Sequence, residues 1–304
     1  MSESYEAPAP VMTEPAPVPL ATLAMPELVA LAGTYPLRGE AGPAQFVQGL
    51  VQPFAGTAAF GALPAHGQFL SIAQSQQLFS IYGAAFGGNG TTNFALPDLR
   101  GRSALGGDPG TVTNESLTMT YLIATDTNAE APLIGTVALF GGNYAPPGWL
   151  VANGMTAPIN AYAPLFEVIG TTYGGNGSTT FALPDLTGFA AVGAGKAPGM
   201  PPVALGQLVP GAVPGLGLNY LICTTGLYPP SAGSGGFPPT TPFLGQVTAF
   251  AGAAAPADWA LCDGSLVKID DNPPLFSLIG TTYGGDGFET FALPDLRGRM
   301  IVGN

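Results

Sequence analysis

Three stretches of this sequence resemble phosphate-binding loops: GAAFGGNGTTNFALPDL at 83–99, GTTYGGNGSTTFALPDL at 170–186 and GTTYGGDGFETFALPDL at 280–296. A nucleotide loop needs a lysine and a hydroxyl after its glycines, at the start of a helix. Here each glycine run leads into apolar residues and proline, without lysine. The Asn-Gly and Asp-Gly steps tolerate positive φ and read as turns. Each stretch also carries one carboxylate, Asp98, Asp185 or Asp295. Glycoside hydrolysis needs two carboxylates across one bond, and each copy offers one at this position. A carboxylate after proline reads instead as the acceptor of local backbone N–H groups in an Asx-type turn. Arg100 and Arg297 stand two residues on, placed to pair with it. Arg102 and Arg299 are left for a partner surface or for solubility.

The remaining reactive residues give no constellation. His66 is the only histidine and has no cysteine near it in sequence. It cannot build a zinc site or a repeated Ser-His-Asp set, and it reads as a turn residue in PAHGQF. Cys223 and Cys262 occupy non-equivalent places in the repeats and read as buried free thiols rather than a disulfide. Trp149, Trp259, Tyr173 and Tyr283 could form sugar platforms or protein hot spots, but the tryptophans read as core. No catalytic, cofactor or metal site is expected, and the chain reads as a non-enzyme.

The elements that hold these turns must be short. Of 304 residues, 45 are glycine and 32 proline, which helices and regular strands tolerate poorly. The apolar fraction of 46% is enough for real cores, while only 9% is charged. Net charge is −12 with seven basic residues, which excludes a nucleic-acid footprint and disfavours an anionic membrane surface. No apolar run is long enough to insert in a bilayer. The N-terminus, MSESYEAPAPVMTEPAPVPL, lacks the pattern of a standard signal peptide and reads as a disordered, proline-rich and acidic lead-in.

The LPDL tetrapeptide counts the units. It begins at Leu96, Leu183 and Leu293, with a glycine run nine residues upstream and Phe79, Phe166 or Phe276 seventeen upstream. Farther upstream, Gly49, Gly135 and Gly245 each open an alternating apolar stretch that reads as a strand. SQQLFSIYG, YAPLFEVIG and NPPLFSLIG read as short helices. Pro164 and Pro274 suit a first turn, and Gly83, Gly170 and Gly280 suit helix ends. The fold class is therefore α+β, mostly β and irregular, in three tandem small domains rich in ordered loops.

PADWALCDGS…LFSLIGTTYGGDGFETFALPDLRGRMIVG, at 256–303, resembles the phage tail collar domain of short tail fibres and microcystin-dependent-type proteins. The likeness is close in the second and third units, weaker in the first, and covers roughly three-fifths of the chain. It implies a structural or receptor-binding module without enzymatic activity. It also implies that a terminal strand such as LNYLICTTGLYPPS, 218–231, follows each collar. Short-tail-fibre members form homotrimers, some with a histidine-bound metal, but their paired-histidine motif is missing here.

On this basis 1–27 is the lead-in, 28–37 a strand-like segment, 45–125 the first collar-like domain, 133–231 the second with its terminal strand, and 243–304 the third without one. The segment LVALAGTYPL aligns without gaps to LICTTGLYPP at 221–230. It is a candidate donor strand, with Leu28, Val29, Leu31 and Tyr35 as its main residues. It could enter the third collar of another subunit, enter the third collar of its own chain, or pair with the collar that follows it. The first option gives a self-assembling extracellular fibre or phage-tail-like appendage whose partners are copies of itself. The alternative is a soluble receptor-binding protein that recognises a cell-surface glycan or protein. Asp98, Arg100, Asp185, Asp295 and Arg297 are expected to form a structural loop signature.

Overall fold

The computed structural model describes residues 21–25, 27–30, 48–53, 55, 62–113, 115–125, 133–224 and 244–303. The chain begins with β1 (Ala21–Met25) and β2 (Glu27–Ala30). The first collar then contributes β3 (Leu50–Pro53), β4 (Ala62–Pro64), β5 (Phe69–Ser71), α1 (Gln76–Tyr82), β6 (Asn93–Ala95) and β7 (Ser103–Gly106). A long strand, β8 (Ser116–Ala124), leads into β9 (Thr136–Phe140), β10 (Trp149–Val151), β11 (Thr156–Pro158), α2 (Ala163–Ile169), β12 (Thr180–Ala182) and β13 (Ala190–Gly193). After β14 (Leu208–Val209) a second long strand, β15 (Gly215–Cys223), leads into the third collar. That collar comprises β16 (Val247–Phe250), β17 (Trp259–Leu261), β18 (Leu266–Lys268), α3 (Pro273–Ile279), β19 (Thr290–Ala292) and β20 (Arg299–Gly303). The molecule is mostly strand, with three one-to-two-turn helices, in three repeated units.

Each unit is built the same way, for visible reasons. The helices bury Leu78, Leu165 or Leu275 and end at Gly83, Gly170 or Gly280, whose φ values are 56°, 54° and 54°. A Cβ at these glycines would meet nothing within 4 Å, so it is the backbone angle and not crowding that calls for glycine. The phenylalanine of each helix packs on the buried phenylalanine of FALPDL. Phe79–Phe94, Phe166–Phe181 and Phe276–Phe291 all have ring centroids 5.5 Å apart. Beneath each helix a small hairpin pairs β5 with β6, β11 with β12, or β18 with β19.

The three units surround a common axis and share one hydrophobic core. Their first strands meet there: β9 pairs antiparallel with both β3 and β16. Three equivalent backbone bonds circle the axis: Gly141 N–H to Gly49 O at 3.2 Å, Ala251 N–H to Gly135 O at 2.9 Å, and Ala55 N–H to Gly245 O at 3.1 Å. Each crosses from one collar to the next, and the third brings the first collar back to the third. A void of about 30 Å³ remains among Val51, Val137, Tyr121 and Tyr220.

The sequence expectations for the segments between collars need two corrections. Residues 121–124 and 220–223 do not complete the collar before them. They pair antiparallel with β9 and β10, or with β16 and β17, of the collar that follows. The halves just upstream complete the preceding collar: Ser116–Met119 runs parallel to β7, and Gly215–Leu218 parallel to β13. The second correction concerns the lead-in. Ala21–Met25 is a strand and not disordered, with Ala21, Leu23 and Met25 turned inward. Leu31, Tyr35 and residues 1–20 lie outside the described residues.

Candidate functional site: the seam strands

One strand serves each junction between collars. β8 and β15 begin against the last strand of one collar and end against the first strands of the next. β1 and β2 do the same at the third junction. Ala21–Met25 pairs parallel with Arg299–Gly303 of the third collar. Leu28 and Val29 then pair with Gln52 and Val51 of β3, and with Pro64 and Leu63 of β4. In register, Leu28 stands where Leu122 and Leu221 stand. ATLAMPELVA therefore aligns without gaps to ESLTMTYLIA and PGLGLNYLIC. The inward positions agree: Met25, Met119 and Leu218 are all fully buried. The candidate donor segment 28–37 overlaps only the second half of this strand, and its described residues Leu28 and Val29 pair with the collar that follows them and not with the third. The half that meets the third collar, with its Ala-x-Leu-x-Met alternation, lies in what the sequence suggests is a disordered lead-in.

Side chains tie the seams. The hydroxyl of Tyr121 donates to Ala104 O at 3.2 Å and that of Tyr220 to Ala191 O at 3.1 Å, both beside the axis. Thr120 Oγ1 donates to Gly142 O at 2.7 Å, and Asn219 Nδ2 to Gly252 O at 2.8 Å. Tyr173 and Tyr283 each reach the neighbouring collar, donating to Ala251 O and Ala55 O, both at 2.9 Å. Burial pushes the Tyr283 hydroxyl up to about 12 and moves Tyr173 in the same direction, so both stay protonated donors. These two tyrosines are inter-collar ties as well as core. Trp149 is buried and Trp259 is half-buried, and both pair with a seam strand.

The loops that frame the seams are turns whose donors are already occupied. Asn89 Oδ1 accepts from the N–H groups of Thr91, Thr92 and Asn93. Asn176 accepts from Ser178, Thr179 and Thr180. Asp286 accepts from Phe288, Glu289 and Thr290, and these bonds draw its carboxyl down to about 2. The amides that could cradle a phosphate are thus spent on a side chain of the same loop. Gly88, Gly175 and Gly285 are required because a Cβ would lie 2.3–2.5 Å from the Cα of Phe94, Phe181 or Phe291.

The LPDL aspartates also make local turns. Asp98, Asp185 and Asp295 accept from the N–H of Arg100, Thr187 and Arg297 respectively. Arg100 and Arg297 close bidentate pairs on Asp98 and Asp295 at 2.9 and 3.0 Å. The Arg100 hydrogen bond holds Asp98 below the usual carboxylate range. For Asp295, burial raises the value, but the bonds and charge of Arg297 outweigh it. Both carboxylates stay ionised and engaged, so neither is poised for proton transfer. Arg102 and Arg299, left by the sequence for a partner surface, return to the same turns by donating to Asp98 O and Asp295 O. The backbone at His66 forms an isolated antiparallel β-bridge with that at Asp98, as Asn153 does with Asp185 and Asp263 with Asp295. Cys223 and Cys262 are buried and unlinked. Among the described residues no group of three His, Cys, Asp or Glu could hold a metal ion, and no helix is long and apolar enough to cross a membrane.

A family model described as Phage Tail Collar Domain matches the chain three times, at residues 49–104, 135–191 and 245–301, together more than half of its length. No curated protein and no solved structure matches it significantly.

Proposed function

Because the chain belongs to the phage tail collar domain family, a tail-fibre-type structural family and not an enzyme family, we propose that it is a structural unit of a virion tail or extracellular appendage in which one chain supplies a complete threefold collar. Ring closure carries this reading: the bonds from Gly141 to Gly49, Ala251 to Gly135 and Ala55 to Gly245 repeat one contact until it returns to its start. A head-to-tail contact whose rotation closes after three steps makes a ring, while an open fibre requires one that does not close. The closing piece of this ring is β1 and β2 together, with Ala21–Met25 on the third collar of the same chain and Glu27–Ala30 on the first.

The topology of that same strand favours a second reading. β8 and β15 are joined through the chain to both collars they connect. β1–β2 is joined through the chain to the first collar alone, and meets the third through hydrogen bonds and packing. It can therefore be exchanged with a neighbour's third collar without breaking a covalent bond, linking copies into a fibre.

Ala24 and Val302 are register partners, so a cysteine at each distinguishes the two readings. Ala24→Cys/Val302→Cys should cross-link within single chains, and light scattering should show a monomer. A ladder of covalent multimers on a non-reducing gel would instead establish exchange between copies.

A further inference from the structure

Two clefts lie at equivalent places in the two interior seams. One, of about 270 Å³, is lined by Asp108, Thr120, Tyr121, Asn153 and Thr187. The other, of about 360 Å³, has Gly195 and Lys196, Asn219, Tyr220, Asp263 and Arg297 in the corresponding places. The geometry is shared but the chemistry has diverged: the first cleft has no cation, and the second has two of the seven basic residues of a chain whose net charge is −12.

The second cleft is also built. Arg297 is clamped by Asp295, and its stem lies under Gly195, where a Cβ would come within 2.8 Å of its Cγ and Cδ. Reciprocal bonds between Gly195 and Val203, at 2.7 and 2.9 Å, fix the backbone next to Lys196. Among the described residues the ion pairs engage Arg100, Arg102, Arg297 and Arg299, and Lys196 forms none. Asp263 uses Oδ1 for the N–H of Ser265, and Asn219 uses Nδ2 for Gly252 O. The other oxygen of each is left as an acceptor for a ligand hydroxyl. An unpaired ammonium, the Nη1 edge of a guanidinium whose Nε and Nη2 are held by Asp295, two hydroxyl acceptors and the body of a tyrosine make a site for a ligand that is anionic at one end and hydroxylated along its length.

We propose that the cleft between the second and third collars binds a small carboxylate-bearing sugar, with its carboxylate at Lys196 beside Arg297 and its hydroxyls at Asn219 and Asp263. This goes beyond the structural role proposed above. The seam strand here is covalently continuous, so the cleft forms whether the closing strand enters its own chain or a neighbour's.

The test is calorimetric titration of the full chain with glucuronate, glucose and inorganic phosphate. Saturable one-site binding of glucuronate is expected, with glucose weaker. Lys196→Gln, at an exposed position, should weaken glucuronate by about tenfold through loss of one charge-assisted hydrogen bond. Asp108→Ala, in the other cleft, should leave it unchanged. Absence of saturable binding, an unaltered Lys196→Gln, or phosphate binding as tightly as glucuronate each overturns the proposal. Light scattering of the same samples reports independently whether the ring is intact.

Discussion

The two interior seams and the closing seam use the same strand pairing and differ in what reinforces it. The parallel ladder is as long at the closing seam as at the others, with five register pairs between β1 and β20 against four between β7 and β8. Beyond the ladder the seams diverge. Where the interior strands carry Thr120 and Asn219, which tie to the next collar, the closing strand has Pro26. Where they carry Tyr121 and Tyr220, it has Glu27. On the facing strands, Pro53 replaces Leu139 and Ala249 and has no N–H to donate. β9 pairs with both neighbours, while among the described residues β3 and β16 form no ladder with each other and are joined by the Ala55 N–H to Gly245 O bond. The closing seam has other ties: Ser103 Oγ donates to Ile301 O at 2.9 Å, Gln246 Nε2 to Gln52 Oε1 at 2.8 Å, and the Tyr283 hydroxyl to Ala55 O at 2.9 Å. Each interior strand thus carries its own ties, from Thr120 and Tyr121 or from Asn219 and Tyr220, whereas the ties named at the closing seam come from the collars on either side, from Ser103, Gln246 and Tyr283.

The largest effect is expected where an interior seam is tightest. A Cβ on Gly193 would lie 1.8 Å from Leu296 O, and one on Gly106 would lie 1.9 Å from Leu186 O. The obstacle is backbone, so Gly193→Ala must displace the LPDL turn and break the Gly298 N–H to Gly193 O bond. A loss of about 3 kcal/mol or more is expected in chemical unfolding. An unchanged midpoint would falsify the close approach.

Next comes a matched pair of truncations. Leu117 and Leu216 are 1% and 4% exposed in the interior strands, while the equivalent Leu23 is half-buried. Leu117→Ala should cost about 2–5 kcal/mol. Leu23→Ala should cost less overall but act locally, speeding amide exchange in β20 more than in β7 or β13. Equal exchange in the three strands would mean the closing seam is no weaker than the others.

The sequence carried the repeated unit well, because local chemistry dictates it. Gly83, Gly170 and Gly280 announce positive φ at helix ends, and the Asx loops at Asn89, Asn176 and Asp286 follow from side chains that bond their own backbone. The seams were less legible. The continuous apolar runs at 121–124 and 220–223 say that a strand is buried on both faces, but not against which collar. Nothing within either segment shows that a strand changes collars halfway along. The first half of the closing strand was hidden for another reason. Pro17, Pro19 and Pro26 surround Ala21–Met25 and give the segment the composition of a disordered lead-in, whereas its strand state comes from the parallel partner at 299–303, far away in sequence. Arg102 and Arg299 were misjudged similarly, since a turn that brings i+4 back to a carbonyl is not visible in an RGR triplet.

If a tyrosine on the strand strengthens an interior seam, adding one to the closing strand should strengthen that seam too. Glu27→Tyr places at position 27 the residue that its equivalents carry at 121 and 220. A gain of about 1 kcal/mol, the contribution of one buried hydrogen bond, is expected as a rise in Tm with slower exchange confined to β1 and β20. A rise in Tm spread evenly over all three seams would show that position 27 does not act on the closing seam.

Acid should produce the smallest effect, and an uneven one. Asp98 and Asp295 have folded-state pKa values below the ordinary 3.8, for which Arg100 and Arg297 are responsible. A depressed carboxylate contributes stability that is fully present above its unfolded value and is lost as pH falls through the folded one. The window therefore opens near pH 3.8 and extends downward. At the equivalent turn of the second collar Thr187 stands in place of arginine, so that turn has no ion pair to lose. The pairs are partly exposed, with Arg100 side chain 55% accessible, so each contributes little. Thermal unfolding between pH 5 and 2.5 should show a shallow acid decline. Asp98→Asn should flatten it by removing a group that titrates in the folded state. Because the ion-paired Asp98 and Asp295 turns lead into β7 and β20, while the turn before β13 has Thr187 in place of arginine, exchange in β7 and β20 should accelerate in acid before exchange in β13. Earlier acceleration in β13 would show that these two ion pairs do not set the acid response of the strands that follow them.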